Sequence, residues 1–176
     1  MEMNEMYDRL DLRDVPPKWI YILRRVKAVR PEAIIGGGAL RDLDNKRPIK
    51  DIDIFVTSDE AVRKALRPTH PYLRRYINCE YLGIGNGEVQ KTMDFISPYG
   101  FPPVNVTVVS GEGSPIYLLS QIAFDGAHIL ASPHYYKDKR DKTFTLLRED
   151  DEKEAVHSLR HFARISRKYP GWRLKM

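Results

Sequence analysis

Cysteine is almost missing from this chain of 176 residues: Cys79 stands alone, so no intramolecular disulfide can form, and a reducing compartment such as the cytoplasm is the expected location. Long apolar runs are missing too. No stretch approaches the ~18 apolar residues that a bilayer span needs, and the acidic start MEMNEMYDRLDLRD lacks the basic-then-apolar pattern of a secretory leader. Neither membrane insertion nor secretion is expected. Zinc chemistry has little support, because His157 and His161 are four apart without the intervening Glu of a zinc protease and there is no thiolate cluster. Gly83-x-Gly85-x-Gly87 has no helix after it, which argues against a dinucleotide loop. There are no internal repeats and no low-complexity tract.

Negative charge is missing from the end of the chain. Glu149, Asp150, Asp151, Glu152 and Glu154 form a cluster, after which no acid occurs while Arg160, Arg164, Arg167, Lys168, Arg173 and Lys175 follow. A formal net charge of +5 favours polyanionic partners such as nucleotides or RNA. With 42% hydrophobic residues, residues 1–176 are expected to form one compact domain.

What is present is concentrated between Ala33 and Val56, AIIGGGALRDLDNKRPIKDIDIFV. Ala33 to Ile35 predict a short strand, Gly36, Gly37 and Gly38 a turn, and ALRDL the start of a helix. That order suits phosphate, since glycine lets backbone amides approach closely and the following helix turns its amide end toward negative charge. A second strand from Asp51 to Val56 follows. Strands alternate their side chains, so Asp51 and Asp53 share one face while Ile52, Ile54 and Val56 share the other. Two neighbouring carboxylates repel each other unless a cation sits between them, and Mg²⁺ (or Mn²⁺) is the oxygen-seeking candidate. Alone, a triglycine is a flexible turn and an Asp-x-Asp pair the solvated face of an edge strand. Their order and spacing together point to nucleotide chemistry, with Arg41 and Lys50 as nearby cations.

Gly36-Gly37-Gly38-Ala39-Leu40-Arg41-Asp42 and Asp51-Ile52-Asp53 resemble the nucleotidyltransferase superfamily of DNA polymerase β and the tRNA nucleotidyltransferases. In the tRNA branch a Gly-Gly-x-x-Arg-Asp turn precedes an Asp-x-Asp strand, which corresponds here to Gly37, Gly38, Arg41, Asp42, Asp51 and Asp53. DKTFTLL and SLRHFARISRKYPGW look similar to small stand-alone, often phage-borne, proteins of this superfamily. The resemblance implies an α/β (α+β) fold, a short mixed sheet with flanking helices and a C-terminal helix. It also implies a metal-dependent transfer of an NMP group from an NTP to a hydroxyl, with Asp51 and Asp53 holding the metal and Gly36 to Gly38 seating the triphosphate. RNA, a protein or a small molecule is the acceptor, and the sequence does not separate these. The superfamily places a third carboxylate on a neighbouring strand. Here the strand VNVTVV offers Asn105 in that slot, which carries no charge and cannot act as a base at neutral pH. Asp94, in TMDFI, replaces it if its strand lies beside the Asp51–Asp53 strand. The rival reading is a weak or inactive relative that binds nucleotide or RNA.

Elsewhere, KWIYILRRVKAVR predicts a helix between Pro17 and Pro31, and Ser58 caps a helix that ends before Pro68. Asn86-Gly87 predicts a hairpin between YLGIG and EVQKTMDFI. IYLLSQIAF has helical spacing at Ile116, Leu119, Ile122 and Ala123, and AHILAS and KTFTLL alternate like strands. A last helix from about Asp151 to Tyr169 carries Arg160, Arg164 and Arg167 at i, i+4 and i+7, a stripe suited to triphosphate or RNA backbone, although bases near a helix end also suit the helix dipole. Tyr169 and Trp172 read as packing anchors, and Asp125-Gly126 as a turn.

Overall fold

The computed structural model of the chain describes residues 9–78, 89–109, 122–145 and 152–175. Proline at the first helical position has no N–H to lose, and α1 (Pro17–Lys27) starts there. Its apolar stripe of Trp19, Ile22, Leu23 and Val26 is buried. Val29 falls past its end, in a turn where its N–H donates to Val26 O at 3.1 Å.

Seven strands form the main sheet: β1 (Ile34–Gly36), β2 (Ile52–Val56), β3 (Tyr72–Asn78), β4 (Val89–Ile96), β5 (Val104–Val109), β6 (Ile122–Phe124) and β7 (Ile129–Ala131). Their order is β3-β4-β5-β2-β1-β6-β7, and only the β2–β5 pairing is parallel. The period-2 alternation decides which face is which. Ile52, Ile54, Val56, Val104, Val106, Val108, Met93 and Phe95 lie in the core with α1 and with Val62 and Leu66 of α3 (Val62–Leu66). Asp53 and Asn105 are left on the opposite face.

Between β1 and β2 runs α2 (Gly38–Asp44), as the sequence predicts. Ser58 does not cap α3. Its Oγ accepts the Glu60 N–H at 3.2 Å, closing a turn, and the helix begins only after Ala61, which has a positive φ of 62°. On one edge β4 pairs with β3, with Tyr72 opposite Ile96 and Asn78 opposite Lys91, and on the other with β5. YLGIG and Asn86-Gly87 lie outside the described residues.

The expected helix over IYLLSQIAF is overturned where it is described: Ile122 and Ala123 belong to β6, with Ile35 opposite Phe124 and Ala123 opposite Leu130. Residues 116–121 lie outside the described residues. All three β6 residues are buried, and a short continuous apolar run suits a covered strand as well as a helix. A helix that the pattern does not announce, α4 (Tyr135–Asp141), is mostly polar and buries only Tyr135 and Asp138. Asp138 explains its placement: its carboxylate accepts the hydroxyls of Thr143 and Thr145 at 2.8 and 2.7 Å and the Thr145 N–H at 2.7 Å. These threonines form β8 (Thr143–Thr145), which pairs in parallel with β9 (Arg173–Lys175). α5 (Glu152–Ile165) lies between them in sequence. Phe144, Ile165 and Tyr169 make a second buried cluster with Phe162, Trp172 and Leu174 against it.

Candidate active site

Register brings the site together. Gly36 lies opposite Asp53 on one side, Asn105 lies opposite Asp53 on the other, Asp94 opposite Asn105, and Arg75 opposite Asp94. One row therefore crosses five strands from the glycine turn to the β3 edge. Asn105 Nδ2 donates to Asp51 Oδ2 at 3.0 Å and to Asp53 Oδ1 at 3.3 Å, so a neutral amide bridges the two acids. Lys50, exposed, has its ammonium 3.8 Å from Asp51 Oδ2.

The glycine turn is pressed against these acids. Gly37 has φ +68°, and a Cβ there would collide with the Asp53 carboxylate. At Gly36 a Cβ would sit 2.9 Å from the Phe55 ring, whose side chain shares the face of Asp53. Both positions need glycine for lack of space, and Gly37 also for its backbone angle.

Burial pushes the Asp53 carboxyl up to about 6, and the negative charge of Asp51 adds to the effect. The Asn105 hydrogen bond and the charges of Lys50 and Arg164 act in the opposite direction without cancelling it. A half-buried carboxylate held at this cost is a group whose charged form a cation would stabilise.

The sequence-predicted cations divide into two groups. Arg164 is exposed on α5, donates from Nη2 to His161 Nδ1 at 2.8 Å, and its charge reaches Asp53. Arg160 is exposed on the same helix but is not brought into contact with the acid pair among the described residues. Arg41 is turned inward: it is buried, contacts Asp42 Oδ1 at 3.3 Å, and its guanidinium lies 5.4 Å from the Tyr169 ring centre and 5.8 Å from that of Phe144. It supports the turn from beneath, and a Cβ on Gly38 would lie 2.8 Å from its Nη2. Lys168 is likewise committed, donating to Asp42 Oδ2 at 2.8 Å and to Pro48 O at 3.0 Å.

Asp42 is the member that sequence reasoning undervalued. Its carboxylate also accepts the Tyr169 hydroxyl at 2.8 Å, so the Arg-Asp of the glycine motif is anchored to the C-terminal segment. The motif marked Asp42, but nothing in it pointed to partners more than a hundred residues away. Tyr169 is fully buried, in keeping with an anchor. Asp125 makes the predicted turn, accepting the N–H groups of Ala127 and His128 at 2.8 and 2.6 Å.

Asp94 does lie two strands from Asp53 on the same face, but Asn105 stands between them. At a strand spacing of about 4.8 Å the two backbones are about 10 Å apart, so Asp94 does not join the pair. Among the described residues no group of three His, Cys, Asp or Glu side chains is placed to hold a metal. The donor set for an oxygen-seeking ion is the two carboxylates, of the right chemistry for Mg²⁺ although short of a third acid, and Asn105 would add its amide carbonyl only by turning away the N–H group it now gives them.

No family model matches the chain and no curated protein matches it. Solved structures do. The CCA-adding enzyme of Bacillus stearothermophilus in complex with CTP is similar over 92% of this chain and 42% of its own, with a TM-score of 0.60 and 18% identity. Another CCA-adding enzyme complex with CTP aligns over 94% of this chain and 42% of its own at a TM-score of 0.58 and 14% identity. A tRNA-processing enzyme in an apo form aligns over 95% and 45%, at a TM-score of 0.56 and 16% identity. The chain spans less than half the length of these proteins. Its fold is the CCA-adding-enzyme-like mixed α/β fold that the resemblance to nucleotidyltransferases implies. No helix among the described residues is long and apolar enough to cross a membrane.

Proposed function

We propose that this chain is a Mg²⁺-dependent nucleotidyltransferase, acting in the cytoplasm, that moves an NMP group from an NTP to a hydroxyl acceptor. The observation that carries the reading is the packing of the glycine turn on the Asp53 carboxylate, with Asp51 joined to Asp53 through Asn105. The divalent ion, when bound, supplies charge neutralisation on the triphosphate and lowers the pKa of the attacking hydroxyl. Mn²⁺ has the same preference for oxygen and serves as a substitute.

Each residue then has a task. Asp51 and Asp53 hold the metal and orient the acceptor hydroxyl in line with the α-phosphate. Gly36, Gly37 and Gly38 leave the backbone bare where the phosphates approach, while Arg41 and Asp42 hold that turn rigid from below. Lys50 and Arg164 supply positive charge over the acids. CTP in the neighbouring structures supports an NTP donor, and the tRNA-processing neighbour makes RNA the favoured acceptor class.

A second reading rests on Asn105. With an amide where a third acid is expected, the chain would bind nucleotide or RNA with little or no turnover. Incubation with each labelled NTP, Mg²⁺ or Mn²⁺ and total cellular RNA or extract separates the two. The expected result is transfer by the parent and none by Asp53→Ala, which melts no lower than the parent. Transfer retained in Asp53→Ala would disprove the assignment, and nucleotide binding without transfer in the parent selects the second reading.

A further inference from the structure

We infer that the helix-covered side of the sheet, opposite Asp53, carries a separate binding surface for single-stranded RNA, built from the outer sides of α1 and α3. It does not rest on the metal-site reading, from which the sheet separates it. α1 and α3 bury Trp19, Ile22, Leu23, Val26, Val62 and Leu66 in the core, which turns their basic side chains outward. Arg24, Arg63, Lys64 and, just past α3, Arg67 are exposed, and neither helix contains an acidic residue. Arg25 ties the two helices into one surface, donating from Nε to Ala65 O at 2.8 Å and from Nη1 to the Tyr21 hydroxyl at 3.2 Å. Other cations have carboxylate partners, as Lys91 has Asp59, Lys139 has Asp44 and Lys168 has Asp42. Among the described residues Arg24, Arg63, Lys64 and Arg67 have none. Like charges gathered on one surface repel, and a polyanion relieves that repulsion.

Charge alone suits any polyanion, and the rings beside it decide the class. Tyr21 is 44% exposed, and its ring lies 5.7 Å from that of Phe101 at an angle of 30°. The Lys18 ammonium is 5.7 Å from the Phe101 ring centre, and the Arg25 guanidinium is 5.7 Å from that of Tyr21. Lys18 Nζ also donates to Gly100 O at 2.8 Å, which holds the loop carrying Phe101 and the exposed Tyr99 against α1. A ring fixed in place and open to solvent stacks on a nucleobase at small entropic cost, and stacking needs an unpaired base. Duplexes keep their base faces covered, whereas RNA presents single-stranded segments. The rings thus take bases and the four cations take phosphates, without reading sequence. RNA held there leaves the acid face open.

Fluorescence anisotropy of labelled oligo(U) RNA with the full chain, in chelator and over a range of NaCl concentrations, tests this. The combined variant Arg63→Gln, Lys64→Gln and Arg67→Gln is expected to bind at least tenfold more weakly than the parent. Its slope of log K against log[NaCl] should be shallower by about 2, since each phosphate contact to a single strand contributes about 0.7. Tyr21→Ala is expected to bind about tenfold more weakly with the slope unchanged, because stacking carries no charge. Ultraviolet cross-linking of oligo(U) to the parent, read by peptide mass spectrometry, should mark Tyr21, Tyr99 or Phe101 and needs no variant to fold. No binding by the parent, unchanged affinity in both variants, or cross-links confined to α5 would overturn the inference. So would duplex RNA or polyglutamate competing as well as unlabelled oligo(U). Asp53→Ala is expected to bind RNA as the parent does, so failure of the transferase reading leaves this surface standing.

Discussion

Asp53 carries the proposed chemistry, and its protonation can be read without any substrate. With a carboxyl at about 6 in the folded chain and near 3.9 when unfolded, the folded state holds the extra proton between those values. The unfolded state therefore binds fewer protons there, and stability falls as pH rises through that window. Asp53→Asn removes the titration. We expect the variant and the parent to melt alike at about pH 4, and the variant to be more stable at about pH 7.5 by on the order of 2 kcal/mol. Thermal melts across pH in chelator check this, and a parent that gains stability over the same range would contradict it. Added Mn²⁺ should raise the parent's melt at pH 7.5 much more than at pH 5, because proton and ion compete for one carboxylate.

At the scale of elements, α2 is held at its inner end by a buried acid. Asp42 takes hydrogen bonds from Lys168 and Tyr169 and neutralises the buried Arg41 beside it. Breaking a buried pair from one side leaves the other charge uncompensated, which costs about 3–5 kcal/mol. Asp42→Ala is therefore expected to lower the urea midpoint by an amount near the bottom of that range. Lys168 is a third exposed, and water can replace its contact, so Lys168→Met should cost only about 1 kcal/mol. Equal losses in the two variants would show that Arg41 does not depend on Asp42. An Arg-Asp pair in a glycine motif thus need not touch phosphate: one member is support and the other its counter-charge.

For the whole molecule, the consequence is that the end of the chain belongs to the site's foundation. Tyr169 lies against Arg41 and Phe144, Trp172 against Phe144, Lys168 holds Asp42, and β9 pairs with β8. Deleting residues 168–176 removes the aromatic cover from a buried guanidinium. We expect the shortened chain to melt well below the parent and to lose protection against hydrogen exchange at the glycine-turn amides, while the β4–β5–β2 strands keep theirs. Unchanged exchange at Gly37 and Gly38 would separate the C-terminal segment from the turn. The basic character of the segment thus has two uses, since Lys168 is structural while Arg164 faces the acids.

The amino-acid order alone determined the strand-turn-helix around Gly36 to Gly38, the shared face of Asp51 and Asp53, and α1 and α5, because these depend on local period and on glycine and proline. It also marked Asn105 as the odd residue in its slot. Only the tertiary structure decided that β2 pairs in parallel with β5, which sets Asn105 between both acids and Asp94 beyond it. Likewise it decided that Ile122–Phe124 is a covered strand, that Tyr135–Asp141 is a helix, and that Asp42 meets Lys168 and Tyr169. Those outcomes come from pairings between residues far apart in the chain, where burial and charge neutralisation outweigh any preference that a short window of sequence can express.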